Sequence, residues 1–447
     1  FRKKCGYDLF QYLPVLTGRA VGSREISERF LWDLRHTIAD LLLENYAGHL
    51  REISHQHGLT LSIEAYGGGP FDDVAYAGYA DLPMCEFWSG KPFWWDLLMG
   101  WCKAMASAAH ISGRPLVAAE SYTAEPESAK WQAHPFRMKP LGDMAFTLGV
   151  NRFVFHRYCM QPWTDRLPGM TFGPFGVHYE RTNTWWELSR PWHTYLARCQ
   201  TLLQSGQFVA DVAYLGSENS PNSFPSREAM DPPIPSGYDF DDIPPAVLLT
   251  QMTWSGGRFL LPSGMSYRIL VLPPGRTMTP ALLGKIKELV LVGATVVGPR
   301  PANSPSLTDY PTCDAEVQQL AAELWGDCDG VSITENRYGK GKIVWGKPLT
   351  EVLSGLSVRP DFSALDVKVG EDIRTIHRQV DGNDLYFVAS TIPEARRFLC
   401  SFRVTGKRPE LWWPDTGRME PVAVFDERNE STIIPLSLDP YGSVFVV

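Results

Sequence analysis

Three glutamates close short strand-like runs within one part of the chain, and they are the residues best suited to chemistry. They are Glu64 in LTLSIEAYGGGP, Glu86 in DLPMCEFW and Glu120 in RPLVAAESYT. An aromatic residue follows each of them by two positions: Tyr66, Trp88 and Tyr122. Two carboxyl groups can cleave a glycosidic bond when one donates a proton and the other activates water. We therefore predict the three glutamates as catalytic candidates and the three aromatic residues as substrate-binding candidates.

The expected surroundings of these carboxyl groups would change their acidity. A glutamate that ends an apolar run such as residues 115–119 lies beside low-dielectric walls, where the ionised form is costly and the pKa rises. A raised pKa suits a general acid, whereas a better solvated carboxylate suits a base. A single glutamate at a strand end could equally well pair with an arginine or cap the following helix. Three in succession, each followed by an aromatic residue, favour a site.

A second group of polar and aromatic residues lies further along the chain. NRFVFHRYCMQPW places His156 and Arg157 after another strand-like run, and GPFGVHYERTNTWWE carries His178 and Glu180. Aromatic faces stack on the apolar faces of sugar rings, and charged side chains reach sugar hydroxyls. We predict these four residues as further substrate-binding candidates. The tryptophans at positions 185 and 186 are alternatively helix core, an interpretation we favour for one of the two.

Several other classes of function have little support in the sequence. The net charge is −8 with no basic run, so we expect no nucleic acid partner, and no stretch approaches the roughly 20 apolar residues of a membrane span. There is no GxSxG motif, and Pro70 follows the glycines at 67–69, so no dinucleotide fingerprint is present. Asp72, Asp73 and Asp81 could bind a hard cation such as calcium, although solvated loop acids are the simpler interpretation.

The elements that position these residues follow from the alternation of patterns. Residues 1 to about 205 alternate helix-like and strand-like segments, which is typical of βα units and a parallel sheet. We predict a helix over residues 27–57, a helix over 94–112, and strands at 59–63, 83–85, 116–119 and 152–155. Four strands are half of a (β/α)8 barrel. We therefore expect the preceding strands to be encoded before Phe1, and a signal region, if there is one, to be missing as well.

The rest of the chain changes composition twice. FVADVAYLG, YRILVLPP and MTPALLGKIKELVLVGATVVGP predict an open α/β unit with buried parallel strands. From about residue 355 the sequence alternates as β-strands do, with turns at DGND, PDTG and LDPYG, which predicts an antiparallel β-sandwich. We place the boundaries at 1–207, 208–357 and 358–447. The middle unit has no recognisable nucleophile, and we expect it to pack on the barrel in a structural role.

The longer motifs resemble one enzyme family. GYDLFQYLPVLTG, SIEAYGGGPFDD, PMCEFW, AAESYT, GVNRFVFHRYCMQPW and PGMTFGPFGVHYERTNTWWE look like the catalytic barrel of the glycoside hydrolase family 106 α-L-rhamnosidases. The resemblance is dense over residues 1 to about 220. It continues more loosely through YDFDDI and YRILVLPP, where the middle unit is similar to the amidotransferase-like domain that follows the barrel in several glycosidase families.

The resemblance implies inverting hydrolysis of terminal α-L-rhamnose, assisted by a calcium ion. It implies that Glu120 is a catalytic carboxylate, most simply the base, that Glu86 lies near it, and that Glu64, His156, Arg157 and Trp88 shape the sugar subsite. The implied partner is a rhamnose-containing oligosaccharide or glycoside, and this substrate favours a secreted or periplasmic protein. Two alternatives stay open: a retaining glycosidase of the β-galactosidase type, and a carbohydrate-binding fragment without catalysis.

Overall fold

The computed structural model describes residues 1–90, 95–129, 131–171 and 173–447, and gives the backbone alone for residues 95–97. The first region contains four strands: β1 (Ser62–Glu64), β2 (Leu82–Ser89), β3 (Ala118–Ala124) and β4 (Arg152–Phe155). Its helices are α1 (Arg2–Cys5), α2 (Arg24–Leu42), α3 (His49–Gln56), α4 (Asp73–Ala77), α5 (Trp95–Ile111), α6 (Pro126–Ala129), α7 (Pro135–Thr147) and α8 (Arg190–Leu203). Short 3-10 helices cover Phe10–Thr17 and Trp186–Leu188.

The four strands form one parallel sheet in the order β1-β2-β3-β4. One face of this sheet is apolar and buried against α5 and α7, with Cys85, Phe87 and Phe153 among its side chains. The opposite face carries partly or largely exposed side chains, including Met84, Glu86 and Val154. The expected parallel sheet is therefore present in these residues, and its membership of a (β/α)8 barrel stays a prediction.

The predicted helices differ from the observed ones mainly at their ends. The helix expected over residues 27–57 begins three residues earlier, where the Ser23 hydroxyl accepts from the Ile26 amide, and a π-helical turn at Leu43–Gly48 separates α2 from α3. Its apolar stripe is only partly covered, since Leu41 is 45% and Tyr46 55% exposed. Residue 94, the predicted start of the next helix, lies outside the described residues.

The second region is a mixed sheet with flanking helices. Its strands are β5 (Gln207–Phe208), β6 (Val212–Leu215), β7 (Phe240–Ile243), β8 (Thr253–Ser255), β9 (Arg258–Leu260), β10 (Ser266–Tyr267), β11 (Ile269–Val271), β12 (Thr295–Val297), β13 (Glu335–Tyr338) and β14 (Gly341–Val344). Its helices are α9 (Pro245–Thr250), α10 (Pro280–Val292), α11 (Thr312–Trp325) and α12 (Leu349–Gly355), with a 3-10 turn at Arg227–Ala229. The main sheet runs β13-β14-β12-β11-β6-β7, and only β13 is antiparallel to its neighbour. Strands β8 to β10 form a small antiparallel sheet.

The third region consists of antiparallel strands. They are β15 (Phe362–Ala364), β16 (Ile373–Val380), β17 (Asn383–Ser390), β18 (Arg396–Phe402), β19 (Glu410–Trp412), β20 (Met419–Pro421), β21 (Asp426–Arg428), β22 (Ser431–Leu438) and β23 (Ser443–Val446). They form two sheets, β15-β18-β22-β21 and β20-β19-β23-β17-β16-β5. The second sheet includes β5, so this strand, which comes just before the α/β sheet in the chain, belongs structurally to the third region. The proposed boundary at 207/208 therefore falls inside a strand, and the exact division into domains stays a prediction.

Polar contacts join the first sheet's helices to the second region. The Lys103 ammonium on α5 donates to Asp239 at 2.8 Å, while Ser107 and His110 of the same helix contact Asp241 at 3.0 and 2.9 Å. One continuous hydrophobic cluster runs through both regions, and a separate cluster fills the C-terminal sandwich. Among the described helices, none is long and apolar enough to cross a membrane.

Candidate active site

The three glutamates project from neighbouring strands toward the open face of the first sheet. Glu64 is the last residue of β1 and pairs in register with Met84, whereas Glu86 pairs directly with Glu120. The prediction that all three glutamates end their strands was wrong for two of them. Strand β2 continues to Ser89 and β3 continues to Ala124, so Glu86 and Glu120 lie inside the sheet, where the backbone holds them more firmly than a loop would.

A bulge in β3 decides which residues accompany Glu120. The pairing of β2 with β3 runs Phe87 to Ser121 and then Trp88 to Thr123, so Tyr122 is an extra residue with a φ of 63°. Regular alternation would have placed Tyr122 beside Glu120, on the same face. The bulge instead turns Tyr122 into the core and brings the Thr123 hydroxyl to Glu120, where it donates a hydrogen bond to Oε1.

Tyr122 is therefore a correction to the sequence analysis. Its side chain is 0% exposed and packs edge-on against Phe87 and Phe153 and face-to-face with Phe155. Such a ring cannot contact a substrate on the opposite face of the sheet. Its role is to fill the layer between the sheet and the helices.

Tyr66 occupies the centre of the glutamate group. Its hydroxyl lies 3.5 Å from Glu64 Oε2, and its ring stacks on Trp101 with centroids 4.8 Å apart. Burial raises the pKa of Tyr66 far above its usual value, and the charges of Glu86, Glu64 and Glu120 raise it further. The register of the three strands and the contact between Tyr66 and Glu64 place the carboxyl groups around a common space.

The two carboxyl groups on β1 and β2 hold their protons more tightly than a solvated glutamate does. Burial is the main cause that raises the pKa of Glu64, and the nearby charge of Glu120 adds to it. Burial also raises the pKa of Glu86, assisted by the charges of Glu120 and Glu64 and opposed by hydrogen bonds from Trp88 and Tyr66. Desolvation and like charge together are the usual origin of a carboxylic acid that stays protonated near neutral pH.

His156 and Trp88 lie beside this group, as the sequence analysis expected. His156 Nδ1 is 4.0 Å from Glu120 Oε1 and has no hydrogen-bond partner among the described residues, although the atom is buried. Trp88 is half-buried at the end of β2, with its ring edge-on to Phe175 at 6.1 Å. Both side chains are positioned to meet a molecule bound over Glu120.

Three other predicted sugar-binding residues serve the loop between residues 156 and 183 instead. The Arg157 guanidinium donates to the carbonyl oxygens of Phe175 and Gly173 at 2.7 and 2.8 Å. His178 stacks on Trp131 at 3.8 Å and is 7% exposed. Glu180 is 2% exposed and accepts from the amide and the hydroxyl of Thr182. Because the side chains of His178 and Glu180 are buried in intramolecular contacts, we correct their assignment from substrate contact to loop support. Arg157 supports the loop as well, but its Nη1 is buried without a hydrogen-bond partner among the described residues, so its contact with substrate stays a prediction.

The acidic residues considered for calcium already have partners. The Asp81 carboxylate accepts from Arg51, His55 and the Leu61 amide at 2.7–3.0 Å, so a cation would have to displace an ion pair. Asp72 caps α4 through the Ala75 amide, and Asp73 accepts from Ser223 at 2.8 Å. Within the described ranges, no group of three or more His, Cys, Asp or Glu side chains is arranged to hold a metal ion. This donor set falls short of the six to eight oxygens that calcium takes.

Two residues of the site escaped the sequence analysis. Thr123 did so because a bulge leaves no mark in the hydrophobic pattern. Trp101 was missed because its apolar side chain fits the pattern of α5. In the structure its indole supports Tyr66 and lies against the backbone of Gly67. A Cβ atom at position 67 would come within 3.1 Å of the indole ring. Gly67 has a φ of 77°, so both the close contact and the conformation favour glycine at this position.

Comparison with known proteins gives this arrangement a context. The family model described as alpha-L-rhamnosidase, glycoside hydrolase family 106, matches residues 1–426. A protein of Formosa agariphila named "Putative beta-glucuronidase" is 39% identical over 446 residues, which are 99% of this chain and 36% of that protein. The chain thus spans about a third of the length of that relative.

Two solved structures are similar to this chain to different degrees. The rhamnosidase from Novosphingobium sp. PP1Y is 35% identical and superposes with a TM-score of 0.91 over 100% of this chain and 42% of that one. Gan42B, a GH42 beta-galactosidase from G. stearothermophilus, reaches a TM-score of 0.60 at 13% identity, covering 100% of this chain and 74% of that one. The second likeness concerns the fold alone.

Proposed function

Because the chain belongs to glycoside hydrolase family 106, we propose that it hydrolyses terminal α-L-rhamnosides by an inverting mechanism with two carboxyl groups. The observation that carries the proposal is the placement of Glu64, Glu86 and Glu120 on one face of three neighbouring strands, with the Tyr66 hydroxyl 3.5 Å from Glu64 Oε2. Carboxyl groups placed together without cationic partners of their own are costly to the fold, and such an arrangement is characteristic of an acid and a base in catalysis.

The two roles follow from the surroundings of each carboxyl group. Glu86 has a raised pKa and therefore suits the acid that protonates the departing oxygen. Glu120 suits the base, since the Thr123 hydroxyl fixes one of its oxygens and leaves the other for a water molecule. In an inverting enzyme this water attacks the anomeric carbon from the face opposite the leaving group. The charges of Glu120 and Glu64 would then help to keep the proton on Glu86, and Glu64 and Tyr66 would contact sugar hydroxyls.

The sugar itself would lie between Trp88 and His156. An indole offers an apolar surface to the hydrophobic side of a deoxyhexose, and the unpartnered His156 Nδ1 can hydrogen-bond to a hydroxyl. Rhamnose-containing oligosaccharides or glycosides are the proposed substrates. A protein that acts on such external glycans would be secreted or periplasmic, and this location is part of the proposal.

A retaining mechanism of the β-galactosidase type is the second candidate. It is favoured by the direct pairing of Glu86 with Glu120, because adjacent strands lie only about 4.8 Å apart and retaining enzymes hold their carboxyl groups about 5–5.5 Å apart. In that mechanism Glu120 would attack the anomeric carbon itself, and no water would need to fit between the two groups.

Calcium is a separate proposal that rests on the family resemblance. Asp73 Oδ1 and both carboxyl oxygens of Asp242 are buried without hydrogen-bond partners in the described part of the chain, so they are the atoms most open to an added cation. Since the surrounding residues do not complete a calcium site, we route no catalytic step through the ion. A rise in the unfolding temperature on adding calcium, reversed by EDTA, would support binding, and an unchanged unfolding temperature would count against it.

The decisive experiment follows hydrolysis of p-nitrophenyl α-L-rhamnoside by proton NMR, which identifies the anomer released first. Appearance of the inverted anomer supports the proposal, and the retained anomer supports the second candidate. Cleavage of p-nitrophenyl β-galactoside but not of the rhamnoside would overturn the assigned specificity. If rhamnose bound without any hydrolysis, the chain would instead be a carbohydrate-binding fragment.

A Glu86→Gln variant should lose more activity on alkyl rhamnosides than on the nitrophenyl substrate, because the poorer leaving group needs the proton more.

A further inference from the structure

A cavity of about 750 Å³ lies between α8 and the turn that joins β19 to β20. Three indole rings line it, from Trp186, Trp412 and Trp413, together with the guanidinium groups of Arg190 and Arg198. Its volume is in the range of small-molecule sites. Nothing in the proposed reaction uses these residues.

The cavity is separate from the glutamate group. Trp186 packs against Tyr179 at 5.6 Å, and Tyr179 stacks on Phe155 at 4.0 Å. Phe155 shares the buried face of the first sheet with Phe153, whereas Glu120 pairs with Val154 on the other face. The three tryptophans therefore lie behind the sheet, and a molecule bound there cannot reach the carboxyl groups.

The tryptophans are held by their edges. Trp412 Nε1 donates to Glu410 and Trp413 Nε1 donates to Glu420, each at 2.8 Å. The polar atom of each ring is thereby satisfied, and both rings are fixed in orientation while staying only half-buried. Rigid aromatic surfaces of this kind bind with a small loss of conformational entropy.

Arginine and glutamate side chains mix around these rings, and one of the arginines is left for a ligand. Arg190, Arg198 and Arg418 line the cavity with Glu187, while Glu410 and Glu420 are engaged by the two indole edges. Arg418 lies over the Trp413 ring at 5.5 Å and pairs with Glu420, and Arg198 donates to the Pro414 carbonyl. The exposed Arg190 guanidinium has no hydrogen bond or ion pair within the described residues. It is thus available to an anion.

We propose that this cavity is a second carbohydrate site that binds an acidic saccharide, with the indole rings under the sugar faces and Arg190 on a carboxylate. Indole surfaces favour pyranose rings, and a guanidinium binds a carboxylate through two parallel hydrogen bonds. A neutral saccharide would leave the arginine unused. A site of this kind would keep the enzyme on a charged polymer while the carboxyl groups act on another part of it.

The test measures binding of oligogalacturonate by calorimetry, with its carboxyl-reduced counterpart as the matched neutral ligand. Wild-type protein should bind the acidic oligosaccharide, more weakly as salt increases, and should bind the reduced one at least several-fold more weakly. Trp412→Ala should weaken binding roughly tenfold. Arg190→Ala should also weaken it and reduce the salt dependence. Because Arg190 is exposed, that variant keeps the test valid even if the tryptophan variant fails to fold. Arg24→Ala, at a 92% exposed side chain on α2, is the control and should bind as wild type does.

Several results would overturn the proposal. Equal affinity for both oligosaccharides would show that the carboxylates of the ligand are not recognised. Unchanged binding by both variants would show that the ligand does not bind in this cavity. Loss of binding in Glu120→Gln would assign the ligand to the glutamate group, whereas retention of binding in that variant, together with loss of hydrolysis, separates the two sites. If sedimentation showed a dimer that Arg190→Ala dissociates and no saccharide bound, the cavity would be a contact between two copies of the chain.

Discussion

Two groups of acidic residues in this protein have opposite surroundings. Glu64, Glu86 and Glu120 face the open side of the first sheet, where their neighbours are one another and His156 is 4.0 Å from Glu120. Asp239, just before β7, and Asp241, within it, have donors as neighbours: Lys103, His110, Ser107 and Tyr267. Burial alone would raise the pKa of Asp241, but His110, Lys103 and Tyr267 hold it below its usual value.

The difference separates acids that stabilise the fold from acids that we propose to react. A buried carboxylate with a full set of donors belongs to the framework, and here it ties α5 to the second region. Carboxyl groups that face each other across neighbouring strands gain no such stabilisation. Asp242 lies between these two cases, because it is buried in the framework but both of its carboxyl oxygens lack partners in the described residues. Burial is the main cause that raises its pKa well above the usual value, and the charge of Asp72 adds to it. Burial and this charge favour its protonated form.

The largest expected effect comes from removing one charge of the reactive group. Glu120→Gln should lower the rate of rhamnoside hydrolysis by about 10³-fold or more, because the amide cannot accept the proton of the attacking water. Its free energy of unfolding should change by less than about 1 kcal/mol, since among the described residues only the His156 ring, 4.0 Å away, faces the lost charge. Kinetics on p-nitrophenyl α-L-rhamnoside and urea unfolding measure the two. A stable, fully active variant would contradict the proposed contrast between the two acidic groups, because Glu120 would then contribute neither to catalysis nor to stability.

The converse change belongs to the framework group. Asp241→Ala should lower the free energy of unfolding by about 3–5 kcal/mol, because it leaves His110, Ser107 and Tyr267 buried without their acceptor. Asp242→Asn is the matched control. If Asp242 is already neutral, that substitution should cost no more than about 1 kcal/mol. Denaturant unfolding measures the loss of unfolding free energy in each variant. Equal losses would show that the burial of the carboxyl group determines its effect on stability and that the hydrogen-bond donors do not.

A smaller effect is expected at the residue that positions Glu120. Thr123→Val keeps the shape of the side chain but removes the hydroxyl donor, and kcat should fall roughly tenfold with little change in KM. Thr123→Ser should restore most of the rate. If serine were as impaired as valine, packing of the methyl group would be responsible and the hydrogen bond would not.

The smallest effect is a dependence of stability on pH. The folded protein raises the pKa of Glu64, so the folded state binds more protons than the unfolded state between the two pKa values. Stability from this group is complete below the unfolded pKa and is lost as the pH rises through the folded one. Glu64→Gln should therefore be slightly more stable than wild type at neutral pH and equal to it in acid. Unfolding temperatures across this range would test it, and a destabilised variant at neutral pH would imply a cationic partner.

Much of the framework could be predicted from the sequence because it depends on local pattern. The strand predicted at residues 152–155 is β4 as observed, and the other three predicted strands of the first sheet overlap the real ones. What failed depends on single residues and long-range packing. Alternation places Tyr122 with Glu120, and only the pairing with β2 shows that one residue is bulged out. Likewise, Glu180 has the composition of a sugar-binding residue, and only the folded loop shows its oxygens occupied by Thr182.

The short strand β5 has a consequence for how the chain acquires its structure. It pairs with β16, and Arg378 donates to the carbonyl oxygens of Ser205 and Gly206, which are 173 and 172 residues away in sequence. Everything between these two strands must be synthesised before they can meet. Closing so long a loop is entropically unfavourable and makes folding slow. The edge of the C-terminal sheet should therefore be among the last parts to form, and during synthesis β5 would wait unpaired until the ribosome has passed residue 378.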